Sequence, residues 1–205
     1  MKRILFLAAV LSIISTNLFA ERLVLIQATN LNTNRITTLA NTETKARFSE
    51  FGITVTSFVG KEFGLYTSAT FLLPYNLTQK TDGIDTGMNI DNYDQLSLGL
   101  DAIVGVGFLA PITSNFSILF AGGLHFNGIA LMSSNISYDS YLKYNLGPGI
   151  AINGLLNITN RLNFNIGLMG AWDMWEFATV PDLRTDETAK GGITWAISAG
   201  LGFKY

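Results

Sequence analysis

The sequence contains no cysteine, a single histidine and only four prolines in 205 residues. The absence of cysteine excludes disulfides, thiol nucleophiles, thiolate metal sites and lipid attachment to cysteine. Charged residues make up 14% of the chain, against roughly 25% in ordinary soluble domains. The formal net charge of −2 gives no reason to expect nucleic acid as a partner. These absences leave a weakly charged chain whose fold depends on neither cross-links nor a basic surface.

Long apolar runs are also missing beyond the first twenty residues, where no segment approaches the ~18 uninterrupted residues of a membrane-spanning helix. Residues 1–20 begin with Lys2 and Arg3, continue with an apolar run and end on small residues up to Ala20. This pattern predicts a secretory signal peptide cleaved after Ala20, although Leu18 at the minus-three position is larger than usual. We expect residues 21–205 to form one domain.

What the chain does contain is strict alternation, clearest in residues 191–205. Successive side chains of a strand point to opposite faces, so one face of this segment is bulky and apolar and the other is small. The small face carries one charge, Lys204, which is too few for a face in bulk water. An apolar face turned to lipid, with a cramped polar interior behind it, explains both faces.

The same alternation recurs in seven earlier segments, at residues 23–28, 47–59, 64–73, 95–109, 116–127, 143–157 and 161–177. The connections alternate strictly between short and long. Short connections at 60–63, 110–115 and 158–160 are expected as periplasmic turns; long polar ones at 29–46, 74–94, 128–142 and 178–190 are expected as external loops. Pro148 lacks a backbone donor and predicts a bulge or pairing defect. We therefore predict an all-β fold, a transmembrane up-and-down antiparallel barrel of eight strands.

Aromatic residues offer an independent check, because amphipathic rings favour both membrane interfaces. In the predicted register, lipid-facing aromatics gather at both ends of the strands. The outer belt comprises Phe126, Tyr144, Trp172 and Trp195, and the periplasmic belt comprises Phe108, Phe116, Phe164, Phe203 and Tyr205.

The closing stretch, with Ser198, Gly200, Phe203 and Tyr205, resembles the C-terminal insertion signal of bacterial outer-membrane barrels. Over its whole mature length the chain resembles the small eight-stranded barrels of that membrane, both opacity or adhesin-like and small-porin-like. The resemblance implies location in the bacterial outer membrane, contact with its lipid and assembly by the barrel insertion machinery. It supplies no shared catalytic motif and no cofactor.

Seven ionisable residues face the predicted interior and form the candidate functional constellation: Glu50, Asp101, His125, Lys143, Asp173, Arg161 and Lys204. Interior charges are tolerated when they are paired or hydrated. The first interpretation is a salt-bridge network that fills a closed barrel, since eight strands leave little room beyond side chains. The second is a narrow polar or gated path.

His125, the single histidine, is the candidate for a catalytic base. In the lipid-deacylating barrels that the chain can be compared with, a serine follows the histidine two positions later, whereas Asn127 stands here. Ser117 shares the strand face but lies roughly 26 Å away at ~3.3 Å per residue. We predict no catalytic residue and no metal site.

The sequence therefore favours a non-enzymatic outer-membrane barrel with a structural and surface-recognition role, in which four external loops contact a host surface or polysaccharide. One alternative is a channel for hydrophilic or small hydrophobic solutes, through the lumen or a lateral opening. A minor alternative is a lipid-modifying enzyme that uses His125.

Overall fold

The computed structural model describes residues 22–39, 42–134, 141–178 and 187–205, so the predicted signal peptide lies outside the described residues. Ten strands are present in this part of the chain: β1 Arg22–Leu39, β2 Thr42–Gly60, β3 Phe63–Thr81, β4 Ile84–Asp85, β5 Leu96–Pro111, β6 Phe116–Met132, β7 Tyr141–Asn157, β8 Leu162–Asp173, β9 Trp175–Ala178 and β10 Glu187–Lys204. One 3₁₀ turn spans Ile90–Asn92. No helix among the described residues is long and apolar enough to cross a membrane.

The predicted fold class is confirmed: the strands close into an antiparallel barrel with an eight-stranded wall. Each wall strand pairs with its neighbour along the chain, and β1 closes the ring by pairing with both β2 and β10. β4 is a two-residue extension of the hairpin that follows β3, and β9 continues the line of β8 beside β7. The end with both termini and the three short turns is called the periplasmic end, and the opposite end is the outer end.

The alternation read in the sequence corresponds to the two faces of this wall. Large apolar side chains on the outside are exposed on every side of the barrel, among them Ile53, Val106, Ile150, Ile166 and Ile193. Such a continuous apolar band matches the lipid-facing belt of a membrane barrel. The inward positions are small or polar and are buried, which lets a narrow wall close around packed side chains.

The strands are longer at the outer end than the sequence indicated. The loop predicted at 29–46 is wrong, because β1 runs to Leu39 and β2 begins at Thr42. The predicted loops at 74–94, 128–142 and 178–190 also begin or end as strand. β2 has 19 residues, or ~60 Å along the strand at ~3.3 Å per residue. The wall therefore projects beyond an apolar band about 25 Å tall.

Two irregularities shape the outer half. Between β2 and β3, Glu50 pairs with Pro74 and Ser49 pairs with Asn76, so Tyr75 is the extra residue of a bulge in β3. In β7, pairing with β8 stops at Gly149 and resumes with β9 at Leu146 after a one-residue shift. The pairing defect expected beside Pro148 is therefore present. The backbones approach so closely there that a Cβ on Gly147 would collide with the carbonyl oxygen of Trp172.

The barrel interior is layered from end to end. A periplasmic apolar cluster forms around Leu25, Phe58, Leu119 and Leu155. Polar and charged side chains follow it, and a second apolar cluster occupies the outer end. The candidate functional groups lie in the upper two of these layers.

Candidate functional site

His125 lies at the centre of the polar layer, fully buried between two carboxylates. Its Nε2 is 2.6 Å from Asp101 Oδ2, and its Nδ1 is 3.1 Å from Asp173 Oδ1. Carboxylate oxygens only accept hydrogen bonds, so both contacts are made at once when each ring nitrogen carries a proton. Thr194 donates to the other oxygen of Asp173 at 2.7 Å. Strands β5, β6, β8 and β10 are thereby joined across the lumen.

Arg35 extends this network from β1, where the sequence had suggested a loop. Its Nη2 donates to Asn127 Oδ1 at 2.8 Å. With the amide oxygen of Asn145 turned towards the guanidinium, Asn145 accepts from Nη2 and Nε at 2.9 Å each. Asn127 in turn donates to Asp101 at 3.4 Å, so Arg35 and His125 belong to one connected set. We call Arg35, Asp101, His125 and Asp173, with the amides between them, the buried charge network.

Glu50 lies beside this network at the wall between β2, β3 and β5. Its side chain is buried, and its Oε1 has no hydrogen-bond partner among the described residues. A Cβ on Gly99 would collide with this oxygen, so the glycine makes room for the carboxyl group. Glu50 pairs with Pro74 of β3, two residues beyond Leu72↔Gly99, where the pairing of β3 with β5 ends.

Below the network lies a small polar cavity of about 30 Å³, whose lining includes Gln27, Thr54, Thr70 and Asn153. One water molecule needs at least ~10–15 Å³ of such volume, so the cavity has room for about two. Gln27 donates to Asn153 at 3.1 Å and to Ser198 at 2.9 Å, which ties the walls together across the gap. The lumen at this level is packed rather than open.

Above the network, five apolar side chains converge at the outer end: Phe48, Leu77, Tyr93, Ile129 and Leu131. We call these residues the outer apolar cluster. Leu77 reaches it because the bulge at Tyr75 changes which residues of β3 face inwards. The Arg35 guanidinium lies 5.3 Å from the centre of the Phe48 ring, so the cluster rests directly on the charge network.

The wall beside the outer apolar cluster is incomplete. β3 and β5 pair from Phe63↔Phe108 only as far as Leu72↔Gly99. β3 then continues to Thr81 beside β2, whereas β5 begins at Leu96. Residues 73–79 of β3 therefore have no strand partner on their β5 side among the described residues. We call this interruption, at the level of residues 96–98 and above, the seam.

A segment without regular pairing, residues 86–95, spans the seam. It leaves the β3–β4 hairpin and descends to the start of β5. We call it the strap. Tyr93 from the strap is buried in the outer apolar cluster, and Met88 and Ile90 pack against the cluster. Asp94 at its end accepts hydrogen bonds from the backbone N–H and the hydroxyl of Ser134, which hold the pKa of the exposed Asp94 carboxyl below its ordinary value.

The structure separates the seven predicted lumen residues into three groups. Glu50, Asp101, His125 and Asp173 are buried in the polar layer. Lys143 is half-buried on the inward side of β7, and Lys204 donates to Asn157 at 3.1 Å at the periplasmic end. Arg161 is a correction: it is exposed in the turn before β8 and does not line the lumen, because β8 begins only at Leu162.

Arg35 is the residue of the buried charge network that the sequence did not predict. On β1 the inward positions continue as Thr29, Leu31, Thr33 and Arg35, but the outward positions become asparagines. Both faces of this segment are polar, so its sequence shows no alternation between apolar and polar residues. Arg35 could have been placed inside the barrel only by counting every second residue onward from the inward-facing Leu25.

The predicted aromatic belt residues occupy the outward faces of their strands. Trp172 is the most exposed of the outer set, and the rings of Phe126 and Tyr144 stack with centres 6.1 Å apart. At the periplasmic end Phe108 lies 4.7 Å from Phe63, ring centre to ring centre. Tyr205 exchanges backbone hydrogen bonds with Arg22, so the end of the predicted insertion signal also closes the barrel.

His125 contacts no hydroxyl nucleophile in this geometry. Both ring nitrogens of His125 contact carboxylates, and the hydroxyl of Thr194 donates to Asp173 rather than to the imidazole. In a Ser-His-Asp arrangement the nucleophilic hydroxyl bonds to the histidine itself. Among the described residues there is also no group of three or more histidine or acidic side chains placed to hold a metal ion.

No protein-family model and no curated protein matches the chain. Among solved structures, the outer membrane protein OprG from Pseudomonas aeruginosa gives a TM-score of 0.59 at 12% identity, covering 91% of this chain and 96% of that chain. The outer membrane protein AlkL in DMPC lipid bilayers gives 0.57 at 7% identity, covering 91% and 90%. Neisserial surface protein A gives 0.47 at 11% identity, covering 88% and 97%. At these identities the likeness to OprG and AlkL is one of fold.

Proposed function

We propose that this eight-stranded outer-membrane barrel admits small apolar molecules at its outer end and releases them sideways into the membrane through the seam. The observation that carries the proposal is the coincidence of two features. The one level of the wall where β3 and β5 fail to pair is the level at which the interior changes from charged to apolar. Exposed Leu73, Leu96 and Leu100 flank the start of the seam, so an apolar molecule leaving the cluster there meets the apolar outer face of the barrel and has charges beneath it.

The buried charge network opposes passage along the barrel axis. Asp101, His125 and Asp173 are buried and linked across the lumen, and the cavity below them has room for about two water molecules. An ion or polar solute would have to break this network, and unpaired buried charges cost several kcal/mol. The hydrophilic-channel interpretation therefore has little support in this geometry.

The outer apolar cluster favours an apolar solute instead. Transfer from water to an apolar site gains ~25 cal/mol per Å² of apolar surface buried. A molecule that leaves through the seam keeps this gain in transfer free energy, because the lipid tails outside the barrel are as apolar as the cluster. A lateral route thus needs no polar group to be desolvated.

Uptake of a fluorescent apolar dye into proteoliposomes would test this proposal. Replacing Ile129, buried in the outer apolar cluster, by lysine places a charge on the route. Replacing Ile84, which is exposed in the outer turn, by lysine adds the same charge away from it. We expect Ile129→Lys to lose most of the uptake and Ile84→Lys to retain it. Equal uptake by both folded variants would contradict the proposal.

Ion conductance is the complementary measurement, made on the same protein in planar bilayers. A plugged lumen predicts a silent barrel at all voltages and salt concentrations. Discrete, reproducible openings would instead favour a hydrophilic path and would make Asp101 and Asp173 the first residues to replace.

A surface-recognition role is the second candidate. It is favoured by the polar outer extension of β1, where the outward positions are Asn30, Asn32 and Asn34 and where Asn30 donates to the hydroxyl of the exposed Tyr75 at 2.9 Å. Asn32 is buried and accepts from Ser49 at 2.8 Å, which ties β1 to β2 at this level. Binding of cells expressing the barrel to immobilised polysaccharide or host cells, compared with a Tyr75→Phe variant, would test this role.

A further inference from the structure

We infer that the strap is a gate, with Tyr93 occupying the site that a ring-sized apolar molecule takes when the gate opens, and with Asp94 and Ser134 forming its latch. This inference rests on the proposed lateral route and assigns its regulation and its ligand class. The gate divides into a seat, a hinge and a latch, each with its own residues.

The seat is the outer apolar cluster, in which the Tyr93 side chain is only 5% exposed. Phe48, Leu77, Ile129 and Leu131 come from β2, β3 and β6, whereas Tyr93 comes from the strap. The Tyr93 hydroxyl reaches Met88 Sδ at 3.4 Å, and both residues belong to the strap. If the strap moves, the Tyr93 hydroxyl leaves the seat with it, and the wall residues that remain around the seat are apolar. The ligand class is therefore a monocyclic apolar molecule, with an aromatic ring as the best match to the tyrosine ring.

The hinge lies at the start of the strap. Gly87, the second residue of the strap, adopts a positive φ angle of 71°, and a Cβ there would meet nothing within 4 Å. Thr86, just before it, is held to β3, because its N–H donates to the Gln79 carbonyl at 3.0 Å. From residue 87 to residue 94 the backbone hydrogen bonds are local, from Asn92 to Asn89 and from Tyr93 to Ile90. Residues 87–94 can therefore leave the seat without breaking the strand ladder of the wall.

The latch holds the other end. Ser134 donates its backbone N–H to Asp94 Oδ1 at 2.7 Å, and its hydroxyl donates to Oδ2. Gln95 adds a backbone bond to Met132 at 3.1 Å. Asp94 immediately follows Tyr93, so the latch fixes the residue next to the buried ring. Both latch residues are exposed at the outer end, where they respond to the medium outside the cell.

The absence of cysteine in this chain makes opening measurable by thiol labelling. Leu131→Cys places a single thiol beneath the strap, at a position that is 1% exposed. Its rate of reaction with a membrane-impermeant maleimide reports how often the strap is open. The rate is compared in the Leu131→Cys protein, in the same protein with Asp94→Ala, and in the same protein with Asp91→Ala, which removes an exposed carboxylate from the strap but not from the latch.

We expect Asp94→Ala to accelerate labelling about three- to ten-fold, the effect of losing charge-assisted hydrogen bonds at an exposed site, and Asp91→Ala to remain within about twofold. Ser134→Ala removes one of the two hydrogen bonds and should fall between them. Equal rates for Asp94→Ala and Asp91→Ala would overturn the latch. Retained heat-modifiable mobility on gels shows that each variant is folded.

Dye uptake in the same variants separates this inference from the proposed function. Faster uptake by Asp94→Ala than by Asp91→Ala supports the gate. Uptake that is blocked by Ile129→Lys but does not change with the latch overturns the gate and leaves the lateral route standing. Labelling that responds to the latch, with no uptake by any variant, overturns the lateral route and with it the ligand assigned to the Tyr93 seat. For a seat of ring size, we expect toluene to slow the maleimide labelling of Leu131→Cys, and we expect a long-chain alkane to leave the labelling rate unchanged.

Discussion

Replacing His125 by leucine is the sharpest test of the buried charge network. The substitution roughly conserves volume but removes the group that separates two buried carboxylates. Asp101 is 4% exposed and Asp173 is 2% exposed, so neither can recover its lost contact from bulk water. Removing one partner of a buried ion pair typically costs about 3–5 kcal/mol. Because Asp101 and Asp173 both lose their partner, we expect a loss at the upper end of this range.

The free energy of unfolding can be followed by urea titration in lipid vesicles, since the chain has three tryptophans whose emission changes when they leave lipid. The matched control removes the whole charge set, replacing Asp101, His125 and Asp173 by leucine and Arg35 by methionine. A buried ion cluster exchanged for apolar residues is often neutral or stabilising, so the quadruple variant should be more stable than His125→Leu alone. A His125→Leu protein within ~1 kcal/mol of the parent, or a quadruple variant less stable than the single one, would refute the network as a set of paired buried charges.

Two further predictions concern the backbone and the latch. Gly147→Ala should destabilise the barrel by about 1–3 kcal/mol, because its Cβ would meet the Trp172 carbonyl. Gly170→Ala should be nearly neutral, because a Cβ there would meet nothing within 4 Å. Urea titration of both variants checks this, and equal stabilities would contradict the close approach of Gly147 to Trp172. The lowered pKa of Asp94 means that its hydrogen bonds to Ser134 contribute fully above the ordinary carboxyl value and are lost as the pH falls through the lowered one. Carbon NMR of the Asp94 carboxyl in micelles should therefore give a midpoint below the ordinary carboxyl value, and Ser134→Ala should raise it. An unchanged midpoint would show that the latch is not formed in solution.

The sequence predicted the membrane-embedded part of this fold well, for a physical reason. Lipid demands an apolar face, and a narrow lumen demands small or polar inward residues, so Ile193 to Tyr205 alternate without interruption. Eight strands and the inward direction of Asp101, His125 and Asp173 follow from that contrast. The outer extensions have water on their outward face. Asn30, Thr33 and Arg35 consequently read as a polar loop although they belong to β1.

The outer apolar cluster and the strap were beyond sequence reasoning for a different reason. Leu77 faces inwards only because a bulge changes the phase of β3, and alternation read across a bulge assigns the wrong face. Tyr93 lies in a segment rich in aspartate and asparagine, where a single aromatic gives no period. Its burial depends on where the segment crosses the wall, which is a property of the pairing of β3 and β5.

One local feature, Pro74 followed by Tyr75, accounts for both the seam and the inward direction of Leu77. Pro74 has no N–H to offer a neighbouring strand, and the bulge at Tyr75 bends β3 where its pairing with β5 ends. Deleting Tyr75 and replacing Pro74 by valine should therefore extend the β3–β5 ladder while keeping Leu77 inward. In hydrogen exchange, the amide of Ser97, which faces the β3 side, should change from fast to slow, and dye uptake should fall with it. The amide of Leu98 faces β6, where Leu98 pairs with Ala130, and should be protected in both proteins. Protection of the Ser97 amide in the parent barrel would mean that the seam is closed in the membrane. If it became protected with uptake intact, apolar molecules would have to leave by another route.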